Sequence, residues 1–330
     1  MLNRRSCLTT AAAAGLGFAV SPLVHAAAAS GPAVSNRTLP KLKIYIPAGA
    51  GGGWDQTGRA LGSALQGVSL VKEIEYENKG GKGGTIGLAD FVQRHATDPN
   101  ALFVAGFVMV GALALTESDA IKRLSPIARL TGDYMGLCVA PGKGIKSMKD
   151  LVRELQRDVG SVTFAGGSAG GVDHMLAAMV LRALKLDPSA MKYVATSSGK
   201  EAIALLHSGQ AAVVISGYSE LKAGIDDKTL LPLAVSSRKS FFGIPSLREQ
   251  NVDTELSNWR AVFAPAGISA AQKEVLRKIV VAATESPVWR QALLDNNWVG
   301  SLLYGKELGS FIEFQQGIAG LVTGMLKLKK

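Results

Sequence analysis

The feature that most constrains this chain is a strand, a loop nearly without side chains and a helix, in that order, at 42–65. Leu42, Ile44 and Ile46 alternate with Lys43 and Tyr45, the pattern of a strand with one buried face. Pro47 ends the pairing, and Gly49, Gly51, Gly52 and Gly53 form the loop. Trp54 and Asp55 follow, and Gln56 to Leu65 sets Ala60, Leu61, Ala64 and Leu65 at helical spacing. This order presents backbone N–H groups at the positive end of a helix dipole, which suits an anion. It also suits a tight turn with no ligand, and one glycine-rich turn does not decide between them.

The unit recurs. Val71 to Glu77 alternates as an amphipathic strand, residues 78–84 are a second glycine loop, and a helix runs from Thr85 to about His95. Val162 to Ala165 is a strand, residues 166–171 are a third glycine loop, and Val172 to Leu184 is helical. In open α/β sheets ligands sit where strands feed into helices, so the loops at 47–55, 79–85 and 166–171 are expected to converge on one crevice. None carries a phosphate signature: G-x-x-x-x-G-K-[ST] is missing, and Trp54 occupies the last glycine position of G-x-G-x-x-G. Backbone donors with the hydroxyls of Thr85 and Ser168 fit a carboxylate better than a nucleotide.

Elsewhere, Leu102 to Ala105 reads as a fully apolar strand of the parallel-sheet kind, and Phe107 to Leu115 fits either strand or helix. Ile127 to Leu130 and Met135 to Ala140 read as strands separated by Gly132-Asp133, and Trp259 to Ala264 is a strand closed by Pro265. Ser269 to Gln272 caps a helix. Phe311, Phe314, Ile318, Leu321, Val322 and Met325 share one stripe of a terminal helix, read as core packing. The alternation predicts an α/β fold with a parallel sheet and right-handed crossovers.

Residues 1–26 read as an export leader. Arg4 and Arg5 form a positive region, Leu8 to Leu23 is a short apolar run, and Val24-His25-Ala26 resembles a signal-peptidase site. Asn3-Arg4-Arg5-Ser6-Cys7-Leu8 looks like a twin-arginine signal, with Cys7 where that motif usually has Phe. The run is too short and alanine-rich for a good membrane span. Removing it lowers the formal net charge from +10 to +8 and leaves Cys138 as the one cysteine, so no intrachain disulfide can form. The basic residues are scattered without aromatic interleaving, which argues against nucleic acid. Residues 27–40 read as a flexible mature N-terminus.

Pro47 to Arg59, Glu77 to Gly87 and Gly166 to His174 resemble the three signature loops of the Bug family. These are TctC-like extracytoplasmic receptors of tripartite tricarboxylate transporters. Trp259 to Gly267 resembles that family's return segment, and the likeness covers about the whole mature chain. Gly80-Gly81-Lys82 departs from the family's usual Pro-Gly-Ala. The resemblance implies a type II-like periplasmic-binding-protein fold, two α/β lobes joined by two crossing strands near 130–140 and 256–264. Lobe one would be 41–133 plus 259–330, and lobe two 134–258. It further implies a periplasmic, monomeric receptor that performs no chemistry, holds no cofactor or metal, and delivers a small carboxylate to membrane subunits. The implied site comprises Ala50, Gly51, Gly52, Gly83, Gly84 and Thr85, closed from lobe two by Ser168, Ala169 and Gly170. Asp55 is expected to cap a helix or touch ligand, Trp54 to wall the cleft or fill the core, and His174 to brace its loop. The first loop looks like the tricarboxylate-type members, which places citrate ahead of dicarboxylates and aromatic acids.

The rival reading is an exported serine esterase, because Gly166 to Gly170 matches G-x-S-x-G in a strand–turn–helix context. That chemistry needs an acid and then a histidine downstream of Ser168. His207 is the last histidine, 39 residues on, too near for the intervening elements, and His174 is nearer still. No cluster has metal-ligand spacing.

Overall fold

The computed structural model describes residues 38–327. The export leader and most of the expected flexible N-terminus therefore lie outside the described residues. The chain enters as β1 (Leu39–Ile46), followed by α1 (Gly53–Gly67), β2 (Val71–Asn78), α2 (Thr85–Arg94), β3 (Ala101–Gly106) and α3 (Phe107–Leu115). Strand β1 pairs in parallel with β2 on one side and β3 on the other. This is the expected geometry for strands connected through helices. The stretch open to either reading resolves as α3, since Gly106 ends the strand and the apolar run is buried against neighbouring helices.

Strand β4 (Leu124–Val139) is 16 residues long and runs through Gly132-Asp133, where two separate strands were expected. The helices and strands after it are α4 (Met148–Arg157), β5 (Thr163–Gly166), α5 (Val172–Ala183), β6 (Lys192–Ala195) and α6 (Gly199–Ser208). Then come β7 (Val213–Gly217), α7 (Tyr218–Asp226) and β8 (Leu231–Val235). The chain returns along β9 (Ser257–Pro265) and finishes with α8 (Ala270–Thr284), α9 (Pro287–Asp295), β10 (Val299–Tyr304) and α10 (Gly305–Met325). Ser269 and Gln272 form a full capping box at the start of α8.

Two lobes result. In the first, the order is β2-β1-β3-β9 and then the N-terminal half of β4, with β10 on its far edge. In the second, the C-terminal half of β4 pairs with β7 and β8, and β5 lies between β6 and β7. Strands β4 and β9 are the two crossings. They pair antiparallel from Leu124 opposite Pro265 to Tyr134 opposite Ser257, with two register shifts. The sheet is thus mixed, because a strand leaving a lobe and one returning to it run in opposite directions. Gly132 permits the continuous crossing: a Cβ there would lie 2.5 Å from the Ser257 hydroxyl oxygen. Glycine at that point lets the crossing strands approach closely instead of breaking the ladder.

The core of the first lobe stacks Tyr45, Phe91 and Phe103, with ring centroids 4.9–5.6 Å apart. The terminal helix departs from expectation. Its buried side is Ile312, Gln315, Ala319 and Val322, whereas Phe314 and Leu321 are 66% and 61% exposed. Gln315 is buried because its side-chain oxygen accepts the Trp259 indole N–H at 3.1 Å. The inner face thus includes a polar residue, while Phe311, Ile318 and Val322 of the expected stripe still pack on the core.

Candidate functional site

The strand ends and helix starts of both lobes open onto one cleft of about 640 Å³. That volume lies within the range of small-molecule sites. From the first lobe come Pro47 to Gly53 without Ala50, together with Trp54, Gly80, Gly81, Gly83 and Gly84. From the second come Gly167 and Ser168, the Ser197 to Gly199 turn, Gly217, Ser219 and Glu220. Three crevice-forming glycine loops do meet, as their positions after strands require.

Helix α1 is preceded by Gly52 at its N-cap, whose backbone is extended and whose missing side chain leaves the first turn uncapped. The first N–H groups of a helix have no partner within it. Those of Gly53 and Trp54 therefore face the cleft with the positive end of the dipole behind them. Asp55 is not the cap. It lies inside the first turn and accepts from the Gly51 N–H at 2.8 Å, from Asn78 at 2.9 Å and from Arg59 at 3.0 Å. Asn78 also donates to the Ala48 carbonyl at 3.1 Å, so one buried carboxylate holds the whole loop. Burial opposes its ionisation, yet Arg59, the Gly51 amide and Asn78 together keep it below the usual carboxylate range.

The second loop is wound into a tight turn. The Gly84 N–H donates to the Gly81 carbonyl at 2.9 Å, and the Thr85 N–H and hydroxyl both go to the Lys82 carbonyl. Gly83 and Gly84 have positive φ of 63° and 88°, the conformation that glycine adopts without penalty. Trp54 is both wall and core: its ring lines the cleft and packs under Gly84, where a Cβ would lie 2.6 Å from it. The third loop is braced from α5. Asp173 accepts from the Gly167 N–H at 2.5 Å, and Nδ1 of His174 accepts from the Gly170 N–H at 3.0 Å. His174 stacks on Tyr193 at 4.0 Å, and burial lowers its pKa to about 4, so it serves as a neutral acceptor.

Of the expected site residues, Gly51, Gly52, Trp54, Gly83, Gly84 and Ser168 line the cleft, whereas Ala50, Asp55, Thr85, Ala169, Gly170 and His174 do not. Sequence reasoning missed the charged group at the crossing. Arg260 on β9 and Asp133 on β4 pair at 3.5 Å, and both line the cleft while buried. The guanidinium lies beneath the first loop, 2.6 Å from where a Cβ of Gly53 would be, and over the Trp298 ring at 4.9 Å. Burial pushes the Asp133 carboxyl up to about 6 despite Arg260, and the Asp173 carboxyl up to about 7 despite Gly167. The one available signal was the placement of these residues on the two implied crossing strands.

Two lobes, two crossing strands and a cleft of helix N-termini define a periplasmic solute-binding fold. The solved TctC solute-binding protein from Polaromonas has it, with a TM-score of 0.72 at 21% identity over 86% of this chain and 98% of that one. The malate-bound MatC of Rhodopseudomonas palustris matches with a TM-score of 0.67 at 19% identity, covering 86% of this chain and 98% of that one. A UPF0065 protein of Agrobacterium vitis, from its TAR-I ttuE-ttuC' intergenic region, is 24% identical over 75% of this chain and 72% of its own length. Residues 65–313 match the TctC family, described as the tripartite tricarboxylate transporter family receptor, and the chain belongs to that family. The family and receptor class that the resemblance named are thereby shown, the matched residues taking in the second and third loops.

Proposed function

We propose that this chain is an exported periplasmic receptor that captures a small carboxylate between its lobes and delivers it to the membrane subunits of a tripartite transporter. The observation that carries the reading is the uncapped start of α1 opening on a cleft to which both lobes contribute. A carboxylate there gains charge-assisted hydrogen bonds from the Gly53 and Trp54 amides, with the Arg260 guanidinium beside them. Because each lobe contributes walls, ligand contact with both favours a closed arrangement over an open one. On this reading the lobes divide at 133/134 and 258/259, where β4 and β9 pass from one to the other. Malate in MatC supports a carboxylate ligand. The loop amides read the carboxylate alone and leave the remainder of the molecule to the opposite wall. Citrate, dicarboxylates and aromatic acids are thus all members of the test panel.

A thermal-shift screen of the mature protein over mono-, di- and tricarboxylates, followed by calorimetric titration of the hits, tests this. At least one small carboxylate should stabilise the protein, and p-nitrophenyl esters should not be hydrolysed. Stabilisation by no carboxylate, or ester hydrolysis lost in Ser168→Ala, would overturn the reading, the second result in favour of the esterase.

A further inference from the structure

The two walls of the cleft are alike in backbone and opposite in side-chain charge. Helices α1, α5, α6 and α7 all begin at it, and each carries an acid in its first turn. On α1 that acid, Asp55, is turned away and paired with Arg59, so this end stays positive, with Arg260 added to it. On α6, Glu201 is tied to the Ser197 N–H and hydroxyl. On α5 and α7 the acids, Asp173 and Glu220, line the cleft themselves, beside Asp133. A helix start is worth roughly half a positive charge, less than the charge of one ionised carboxylate. Arg260 is the one lining cation among the described residues, against Asp133, Asp173, Glu220 and the exposed Asp295.

Three of these groups are more than nine-tenths buried and keep a polar atom without a partner: Asp133 Oδ1, Asp173 Oδ1 and Arg260 Nη1. These three atoms are covered as the walls stand, and buried polar atoms left unpaired are costly, so a ligand group of matching kind that draws the walls around it relieves that cost. The orphaned oxygens of Asp133 and Asp173 belong to carboxyls that a protonated amine holds in the ionised, accepting form. A second or third carboxylate placed there would face three carboxyls instead.

We infer that the ligand is a zwitterion, its carboxylate at the start of α1 and a protonated amine held by Asp133, Asp173 and Glu220. This rests on the carboxylate reading above and assigns the opposite wall as the determinant of specificity. Calorimetric titration with ligands of equal chain length separates the two claims: butyrate, succinate, 2-aminobutyrate and 4-aminobutyrate, then adipate against 6-aminohexanoate, with citrate alongside. At least one amino acid should bind tenfold or more tightly than its unsubstituted and dicarboxylate counterparts. Glu220→Gln, at an exposed position, should weaken that ligand several-fold without weakening the matched dicarboxylate. Dicarboxylates or citrate binding more tightly than every amine would overturn the inference and leave the receptor reading standing. Binding by no member would remove both.

Discussion

Replacing Asp173 by Asn tests whether the acid wall is electrostatically loaded. The carboxyl is buried, lies near Asp133 and Glu220, and is pushed up to about 7 even though Gly167 donates to it. In the unfolded chain an Asp titrates near about 3.9. Between about pH 4 and 7 the folded protein therefore keeps a proton that the unfolded chain has lost. Stability contributed by the protonated form is fully present below the unfolded pKa and is lost as pH rises through the folded one, by up to about 1.4 kcal/mol per pH unit. Between pH 5 and pH 8 the loss comes to about 3 kcal/mol. Asn does not titrate, and its amide oxygen still accepts from Gly167, but its NH₂ replaces an atom that has no partner. That substitution costs roughly 1–3 kcal/mol at every pH. The variant should thus be less stable than the parent at pH 5, and should gain on it by about 3 kcal/mol by pH 8. Urea unfolding of both proteins at pH 5, 6, 7 and 8 measures the difference, since titrations away from the cleft cancel. Curves that stay parallel across this range would refute the reasoning, because Asp173 would then ionise as an ordinary carboxyl.

Gly84→Ala should cost about 2–4 kcal/mol, since Cβ would meet the Trp54 ring at 2.6 Å and Met109 at 2.7 Å at a φ of 88°. A loss below about 1 kcal/mol in urea would show that the second loop is not held as described. Asp55→Ala removes a carboxylate that accepts from Gly51, Asn78 and Arg59, and should cost about 3 kcal/mol of stability and reduce affinity with it. Unchanged melting and binding would show that the brace is unimportant. Replacing Arg4 and Arg5 by lysine should stop export if the leader is a twin-arginine signal; fractionation showing full periplasmic yield would assign it to general secretion.

The first lobe was legible because its alternation and glycines are local signals. Leu42, Ile44 and Ile46 are buried as their alternation with Lys43 and Tyr45 predicts, although Tyr45 on the other face is buried too, against Phe91 and Phe103, and the loops fall where the strands end. The antiparallel crossing was not written in any local period. Gly132-Asp133 looks like a break in isolation, and only the return of β9 beside it turns the glycine into a point of close approach. The same applies to the site. Glycine loops identify themselves, but the pairing of Asp133 with Arg260 spans 127 positions and depends on the crossing register. Asp55 shows the limit from the other side: its position at the start of a helix suggested a cap, whereas a partner it needed was Asn78 on β2. The terminal helix misled for a plainer reason, since burial of Gln315 depends on Trp259, a residue 56 positions away.

The central claim, that a carboxylate is held at the start of α1, is tested most directly by titrating Gly52→Val with the best ligand of the panel. The backbone there is extended at a φ of −75°, which valine adopts readily, and a Cβ would meet no protein atom nearer than the Gly49 carbonyl oxygen at 3.6 Å. The variant should therefore fold and melt like the parent, while its isopropyl group fills the approach to the Gly53 and Trp54 amides. Losing two hydrogen bonds to a charged group, at about 1.5–3 kcal/mol each, weakens binding by at least about tenfold. A folded Gly52→Val protein that binds as tightly as the parent would place the anion elsewhere and contradict the account.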